Sequence, residues 1–179
     1  MILLARHGQT AYNVEGRFQG TGAMALDEVG VAQAHALAEV ARSHGVATLW
    51  CSPLLRARQT ADVVGAALGL EPRSDQRFAE HDTGAWTDRL KADVEAEEPE
   101  AWAAYGRGGA RWTFPRGENF EAFMARVVEG LAAVRPAGRF PALVVCHRGV
   151  IRAAQSSTHP RGLETFHEWP VPNGALVAL

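Results

Sequence analysis

The sequence has little of several features that mark other classes of protein. Its two cysteines, Cys51 and Cys146, are too few for a disulfide framework, and no Cys-x-x-Cys pair is present. No apolar run approaches the roughly 20 residues that a helix needs to cross a bilayer. The apolar start, Met1–Ala5, meets Arg6 and His7 too early for a secretory signal peptide, so the cytoplasm is the expected location.

An excess of charge of one sign is missing as well. The 18 lysines and arginines face 20 aspartates and glutamates, so the formal net charge is −2. Without a basic run, neither a nucleic acid nor a membrane surface is an expected partner. With 47% hydrophobic and 21% charged residues over 179 positions, one folded domain that spans residues 1–179 is predicted. Nothing in the sequence indicates an oligomeric state.

Short apolar runs are spaced along the chain like the strands of a sheet. Four such runs are Ile2–Ala5, Ala47–Cys51, Ala142–Cys146 and Ala175–Leu179. Helical patterns separate them, and this alternation predicts an α/β fold of three layers, α/β/α, with a mostly parallel central sheet. The acidic and aromatic segment at about 88–117 is expected to form a small cap over one end of that sheet.

Four helices are predicted between the apolar runs. The first follows Asp27, a residue typical of N-caps. Its expected apolar face consists of Val29, Ala32, Ala36, Leu37 and Val40. The second begins at Ser52-Pro53 and ends at Gly69. The third covers Phe120–Val134, and the fourth follows the third strand.

Cationic and imidazole side chains follow three of the predicted strands. They belong to Arg6-His7, to Ser52–Arg56 and to His147-Arg148. Because ligands of open α/β sheets bind beyond the carboxyl ends of the strands, these segments are expected to converge on one rim. Arginine forks bind phosphate dianions. Arginines near a histidine also lower its pKa, which keeps the imidazole neutral and able to attack phosphorus.

These segments are part of a longer pattern that covers nearly the whole chain. Its motifs are Arg6–Thr10 (Arg-His-Gly-x-Thr), Asn13, Gly16–Gly20 (Gly-Arg-x-Gln-Gly), Ser52–Ala61 (Ser-Pro-Leu-x-Arg-Ala-x-x-Thr-Ala), Glu80 with Gly84 and Trp86, Gly117–Asn119, His147–Arg152 and Pro172–Ala175. With these motifs, in this order, the chain resembles the phosphoglycerate mutase-like branch of the histidine phosphatase superfamily, which includes small phosphatases such as α-ribazole phosphatase.

The resemblance implies a phosphomonoester hydrolase that acts on a small phosphorylated metabolite. His7 would accept the phosphoryl group as a phosphohistidine, which water then hydrolyses. Glu80 would protonate the leaving oxygen and afterwards activate the water, with His81 and Asp82 as competing candidates for that role. Neither a cofactor nor a metal ion is implied.

The resemblance also implies which residues bind the substrate. They are Arg6, Asn13, Gln19, Gly20, Arg56, His147 and Arg148. Arg6, Arg56 and His147 count as catalytic too, because they would hold the oxygens of the transferred phosphoryl group.

Three positions depart from the family pattern. Arg148 stands where the family commonly has a small residue, and it is expected either to contact a second anionic group or to point to solvent. Gly22–Asp27 replaces the usual Asp-x-Pro-Leu-Thr, so Asp27 must supply the helix cap. Thr87-Asp88 replaces the usual Glu-Gly.

Two other enzyme mechanisms were weighed against the histidine mechanism. Cys146 and Arg152 have the Cys-x₅-Arg spacing of cysteine-dependent phosphatases, but the flanking Val145 and Ala153 do not fit that motif. A metal site at residues 80–82 lacks the spacing of known metal motifs, since consecutive side chains do not converge on one ion.

A phosphoglycerate mutase is the nearer alternative. Only about 30 residues separate Trp86 from Gly117, and a small cap favours hydrolysis over retention of the phosphoryl group. A binding module without turnover would be expected to lack His7 or the acid, and both are present. Candidate substrates are sugar phosphates, α-ribazole phosphate and phosphoglycerate derivatives. Candidate cap residues for recognising the organic part are Trp102, Tyr105, Arg107, Arg111, Trp112 and Arg116.

Overall fold

Five strands form the central sheet of the computed structural model, which describes residues 1–135 and 139–179. They are β1 (Ile2–Arg6), β2 (Thr48–Cys51), β3 (Arg73–Ser74), β4 (Ala142–Cys146) and β5 (Leu176–Ala178). Their order is β3-β2-β4-β1-β5, and among them β5 alone pairs antiparallel. The predicted α/β fold with a mostly parallel sheet is confirmed. The sequence patterns missed β3, which has only two residues.

Helices cover both faces of the sheet. The described residues contain α1 (Ala11–Glu15), α2 (Glu28–Ser43), α3 (Leu55–Leu68), α4 (Lys91–Glu97), α5 (Pro99–Arg107), α6 (Phe120–Val134) and α7 (Arg148–Thr158). Short 3₁₀ turns occur at Gln76–Phe78, Gly84–Trp86 and Gly162–Thr165. None of the helices in residues 1–135 and 139–179 has the length and apolar character that crossing a membrane requires.

Alternate residues of β1 belong to two separate hydrophobic clusters, one on each face of the sheet. Ile2 and Leu4 pack with residues of α6 and α7, whereas Leu3 and Ala5 pack with residues of α2 and α3. All four side chains are buried. Burying an aliphatic side chain of this size stabilises a fold by roughly 1.5–3 kcal/mol, so the alternation holds three layers together.

The helix after Asp27 forms as predicted, but its buried face is different. The Asp27 carboxylate accepts a hydrogen bond from the Gly30 amide at 2.7 Å, as an N-cap does. The buried residues are Gly30, Ala34, Leu37, Ala38 and Ala41, while Val29 and Val40 are exposed. A Cβ on Gly30 would lie 2.1 Å from the carbonyl oxygen of Gln9. The close approach to that loop therefore turns the small residues inward and the valines outward.

Helix α3 begins three residues later than the sequence predicts. Residues 52–54 precede the helix in a non-helical conformation, and the Leu54 amide donates to the Ser52 hydroxyl at 3.2 Å. The helix then ends at Gly69, which takes the left-handed conformation at φ 66°. This late start places Arg56 at the second position of the helix rather than one turn into it.

The segment at about 88–117 contains α4 and α5, and its aromatic residues form a cluster with Phe18 and Trp86. Six rings of this cluster pack within 5.3–6.3 Å of a neighbour: Phe18, Trp86, Trp102, Tyr105, Trp112 and Phe114. Trp86 is fully buried, and its indole N–H donates to Glu98 at 2.9 Å. That this segment acts as a cap within one domain remains a prediction.

Candidate active site

The pairing of the sheet brings the three predicted junctions together. Arg6 of β1 lies opposite Cys146 of β4, so the next residues, His7 and His147, leave the sheet side by side. Their ring centroids are 5.2 Å apart. Strand β2 lies on the other side of β4 and places the Ser52 hydroxyl 2.7 Å from Nε2 of His147.

The hydrogen bonds of His7 fix its tautomer. Nδ1 lies 2.6 Å from the carbonyl oxygen of Gly8, which can only accept, so Nδ1 carries the proton. Nε2 lies 3.3 Å from Nε of Arg56, which can only donate, so Nε2 presents its lone pair. This nitrogen is the one available to a ligand.

Both active-site imidazoles are held neutral. Burial lowers the pKa of His7 well below its usual value of 6.5, and the charges of Arg56 and Arg6 lower it further. The pKa of His147 is lowered by burial and then by Arg56. A neutral imidazole keeps the lone pair that a nucleophile needs.

Arg56 is anchored while part of its guanidinium stays available. NH1 donates to the carbonyl of Gly22 and NH2 to that of Gly20, each at 2.8 Å. With the bond to His7, these contacts use three of the five N–H donors, so two remain. The side chain is 1% exposed, so an anion that meets those donors would be shielded from water.

Two buried nitrogens of this cluster have no hydrogen-bond partner in residues 1–135 and 139–179. They are Nε of Arg6 and Nδ1 of His147. The other end of the Arg6 guanidinium donates to the carbonyl of Val171 at 2.8 Å. An unpaired buried polar group costs roughly 1–3 kcal/mol, and a bound phosphoryl group would offer the oxygens that remove this cost. We name the four side chains Arg6, His7, Arg56 and His147 the inner pocket.

Glu80 lines the same cleft as Arg6, His7 and Arg56. Its carboxylate accepts from the amides of His81 at 2.9 Å and Gly149 at 3.2 Å. A Cβ on Gly149 would lie 2.2 Å from Oε1 of Glu80, so this approach requires glycine. The contact explains why a glycine two residues after His147 is part of the motif.

The two competitors of Glu80 are less suited to the role of acid, although His81 also lines the cleft. The imidazole of His81 stacks on Phe123 at 4.2 Å, and its Nε2 donates to the carbonyl of Glu118 at 3.2 Å. Burial lowers the pKa of His81 to about 4. Asp82 accepts from the amide of Gly84 at 2.9 Å and does not line the cleft. The geometry therefore favours Glu80 as the acid.

An ion pair behind the cleft supports the loop that carries Glu80. Arg126 pairs with both oxygens of Glu118, at 2.6 and 2.8 Å. The same guanidinium donates to the carbonyls of Arg77, Ala79 and Glu80 at 2.8–3.2 Å. This network fixes the backbone on both sides of the acid. Glu118 belongs to the motif Gly117–Asn119, whereas no sequence pattern predicted a role for Arg126.

Asn13, Gln19 and Gly20 line the same cleft as the inner pocket. The amide oxygens of Asn13 and Gln19 accept from the Thr10 hydroxyl at 3.2 and 3.1 Å. Their NH₂ groups are therefore the ends left to donate to a ligand. The carbonyl of Gly20 holds Arg56, so this residue contributes at least one contact that positions another side chain.

The cleft itself has an empty volume of about 620 Å³. Of the six cap residues expected to recognise the organic part of a substrate, Tyr105 lines the cleft. The others lie outside its lining: Trp102, Arg107, Arg111, Trp112 and Arg116. Lys91, Phe114 and Phe166 also line the cleft, but no sequence pattern predicted this. One feature of the composition could have drawn attention to Lys91, because it is the single lysine among the 18 basic residues.

The alternative chemistries find little support in this geometry. Burial raises the pKa of the Cys146 thiol far above its usual range, which opposes a thiolate nucleophile. Within the described residues, no three side chains of the types that bind metals are grouped around a common point. Independence of metal ions remains a prediction.

Comparison with known proteins identifies relatives of this site. The profile of the histidine phosphatase superfamily (branch 1) matches residues 2–179. A curated relative from Yersinia pestis, named probable phosphoglycerate mutase GpmB, is 34% identical over 148 residues. The match covers 80% of this chain and 67% of the relative.

Solved structures share the fold over nearly the full chain. A mycobacterial glucosyl-3-phosphoglycerate phosphatase in complex with VO3 is 30% identical, with a TM-score of 0.88, and the match covers 98% of this chain and 90% of the other. The α-ribazole phosphatase from Shigella flexneri is 28% identical, with a TM-score of 0.81 and coverages of 98% and 87%. The chain belongs to the histidine phosphatase superfamily.

Proposed function

We propose that this chain is an enzyme that hydrolyses a small phosphomonoester, with His7 as its nucleophile. The observation that carries the proposal is the state of His7. The ring is buried and neutral, its proton is fixed on Nδ1 by the Gly8 carbonyl, and Nε2 faces the donors of Arg56. A nucleophile with this preparation has little reorganisation to complete before it attacks.

In the first step, the lone pair on Nε2 of His7 forms a bond to phosphorus while the bond from phosphorus to the leaving oxygen breaks. Glu80 gives its proton to that oxygen, so the product leaves as an alcohol. The Nδ1 proton stays on the ring, held by the Gly8 carbonyl. Arg6, Arg56 and His147 stabilise the negative charge on the oxygens of the phosphoryl group.

In the second step, Glu80 takes a proton from water as the water oxygen attacks phosphorus. The bond between phosphorus and Nε2 breaks, which releases inorganic phosphate and returns His7 to its neutral form. Glu80 ends protonated, ready for the next substrate. With the substrate and one water molecule as reactants, these steps balance.

Isomerisation of phosphoglycerate is a second candidate, because the Yersinia pestis relative is named a probable phosphoglycerate mutase. Hydrolysis is preferred here for two reasons. The phosphatase structures match this chain over 87–90% of their own length, whereas the match to the mutase covers 67% of that relative. The interval between Trp86 and Gly117 is also short, which leaves little chain to enclose a phosphoenzyme.

Hydrolysis of p-nitrophenyl phosphate tests the proposal. We expect His7→Ala to lower kcat/KM by about 10⁴-fold or more, because a removed nucleophile is not replaced by its neighbours. The matched control His44→Ala changes an exposed histidine and should keep full activity. Activity should also persist in EDTA. A His7→Ala enzyme as active as the wild type, or a wild-type chain without turnover, would overturn the proposal.

A separate assay distinguishes the two candidates. The enzyme is incubated with 3-phosphoglycerate and a bisphosphate primer, and both products are followed. Release of inorganic phosphate supports the phosphatase. Formation of 2-phosphoglycerate without release of phosphate supports the mutase.

A further inference from the structure

The outer part of the cleft contains three cations that have no acidic partner among the described residues. Lys91, Arg148 and Arg152 all line the cleft. None of them lies within 4.0 Å of a carboxylate in residues 1–135 and 139–179. Arg17 also lines the cleft, but it is paired with Glu15 at 2.5 Å. We name Lys91, Arg148 and Arg152 the outer triad.

The three side chains come from two helices and meet near the inner pocket. Lys91 is the first residue of α4, while Arg148 and Arg152 lie one turn apart on the same face of α7. Nε of Arg152 donates to the carbonyl of Trp169 at 2.9 Å, and its other nitrogens make no further hydrogen bond in the described residues. The ammonium of Lys91 lies 5.7 Å from the centre of the Phe18 ring.

The three cations of the outer triad are partly removed from water, and each lowers the pKa of another member or has its own pKa lowered by one. All three residues are half-buried. The pKa of Lys91 is lowered to about 8 by burial and then by the charges of Arg148, Arg6 and Arg152. The pKa of Arg6 is lowered to about 9 by burial and then by the charge of Arg148. Half-buried like charges that line one cleft repel one another, so the unliganded cleft carries an electrostatic cost.

A substrate with a single phosphate would leave this charge unbalanced. The cleft holds five cations without a carboxylate partner within 4.0 Å in the described residues, namely Arg6, Arg56 and the outer triad. Glu80 is protonated when the substrate binds, so the phosphate dianion supplies two negative charges, which balance Arg6 and Arg56. Three positive charges would remain, and they are those of the outer triad.

We propose that the substrate carries a second anionic group, a carboxylate or a second phosphate, which the outer triad binds with Arg148 as its principal contact. The proposal rests on the proposed hydrolase function and narrows its substrate class. Guanidinium forks match the geometry of both anions, and Lys91 adds a point charge. Arg148 is the member that distinguishes this chain from the common family pattern.

Competition against p-nitrophenyl phosphate tests the subsite with a matched pair of ligands. 3-Phosphoglycerate and glycerol 3-phosphate share a phosphate on a three-carbon chain, but the first has a carboxylate where the second has a hydroxymethyl group. We expect the wild-type Ki for 3-phosphoglycerate to be about tenfold lower or more. The Ki values of fructose 1,6-bisphosphate and fructose 6-phosphate are compared in the same way, to test whether the outer triad binds a second phosphate.

The variants assign any preference to the triad. Arg148→Ala should raise the Ki for 3-phosphoglycerate roughly tenfold or more while it changes the Ki for glycerol 3-phosphate less than about threefold. Lys91→Met should likewise raise the Ki for 3-phosphoglycerate more than the Ki for glycerol 3-phosphate. The control Arg107→Ala removes an exposed arginine outside the cleft lining and should change neither.

Two results would overturn the inference. One is equal inhibition by both members of each wild-type pair, and the other is a preference that survives in both Arg148→Ala and Lys91→Met. Absence of p-nitrophenyl phosphate hydrolysis would instead contradict the proposed function. Calorimetric titration with the same ligand pairs would then decide the subsite on its own.

Discussion

The inner pocket and the outer triad are built in different ways although they share one cleft. In the inner pocket, hydrogen bonds to main-chain carbonyls tie down Arg6, His7 and Arg56. In the outer triad, one bond from Arg152 to the Trp169 carbonyl is the only such tie in the described residues. The inner pocket is therefore arranged for one constant group, the phosphoryl group. The cations of the outer cleft are less restrained and can adapt to the variable part of a substrate.

Glu80 lines the cleft that the two regions share, and its substitution should lower activity strongly. Glu80→Gln removes the acid while it keeps the shape of the side chain. We expect kcat/KM on an alkyl phosphate to fall by about 10²–10⁴-fold, because the leaving alkoxide needs a proton. For p-nitrophenyl phosphate, kcat/KM should fall much less, because nitrophenolate leaves without a proton. Steady-state kinetics on both esters measure the ratio.

The control for this prediction is Asp82→Asn, two residues away on the same loop. It should lower the rates on the two esters by the same small factor. An Asp82→Asn enzyme that selectively loses the alkyl ester would move the role of acid to that residue.

The buried imidazole of His81, on the wall of the cleft, should make the stability of the fold depend on pH. His81 has a pKa of about 4 in the folded chain against 6.5 when unfolded, so the unfolded chain binds more protons between these values. The free energy of unfolding should therefore fall as pH is lowered from 6.5 to 4. His81 alone contributes about 3 kcal/mol to this fall.

Urea unfolding of the wild type and His81→Phe at several pH values measures this contribution. The variant keeps the stacking on Phe123 but removes the titrating group. Its stability should fall less steeply below pH 6.5, and the exposed control His44→Phe should follow the wild type. Parallel curves for all three proteins would contradict the prediction.

Arg126 offers a smaller effect that tests whether the support behind Glu80 matters. Arg126→Lys keeps the charge but cannot reach Glu118 and three carbonyls at once. We expect kcat on alkyl phosphates to fall roughly tenfold, with KM nearly unchanged, because a displaced acid transfers its proton less well. The loss should largely disappear when Glu80→Gln is already present. Full additivity of the two substitutions would show that Arg126 does not act on the rate through Glu80.

The inner pocket could be predicted from sequence because its residues lie at strand ends or within a few residues after them. His7 and His147 come immediately after β1 and β4, and parallel pairing leaves no choice but to place them together. Apolar runs give the positions of such strands. Chain order and strand ends therefore contain most of the information that defines this part of the site.

The features that could not be predicted depend on contacts between segments far apart in the sequence. Lys91 reaches the cleft from α4, a seven-residue helix whose start has no side-chain cap. The face of α2 was predicted wrongly because hydrophobicity favoured Val29 and Val40, whereas the loop at Gln9 required glycine at position 30. Arg126 gained its role through carbonyls 46–49 residues away in the chain. Periodicity alone contains none of these constraints.

The most direct measurement asks which atom of the protein holds phosphorus during turnover. The enzyme is mixed with p-nitrophenyl phosphate, quenched in alkaline denaturant to preserve phosphoramidates, digested with trypsin and sequenced by mass spectrometry. The account predicts one phosphoryl group on His7, in the peptide that spans residues 7–17. A phosphoryl group on His147, on Cys146 or on a hydroxyl side chain would contradict it, as would an active enzyme that forms no phosphoprotein at all.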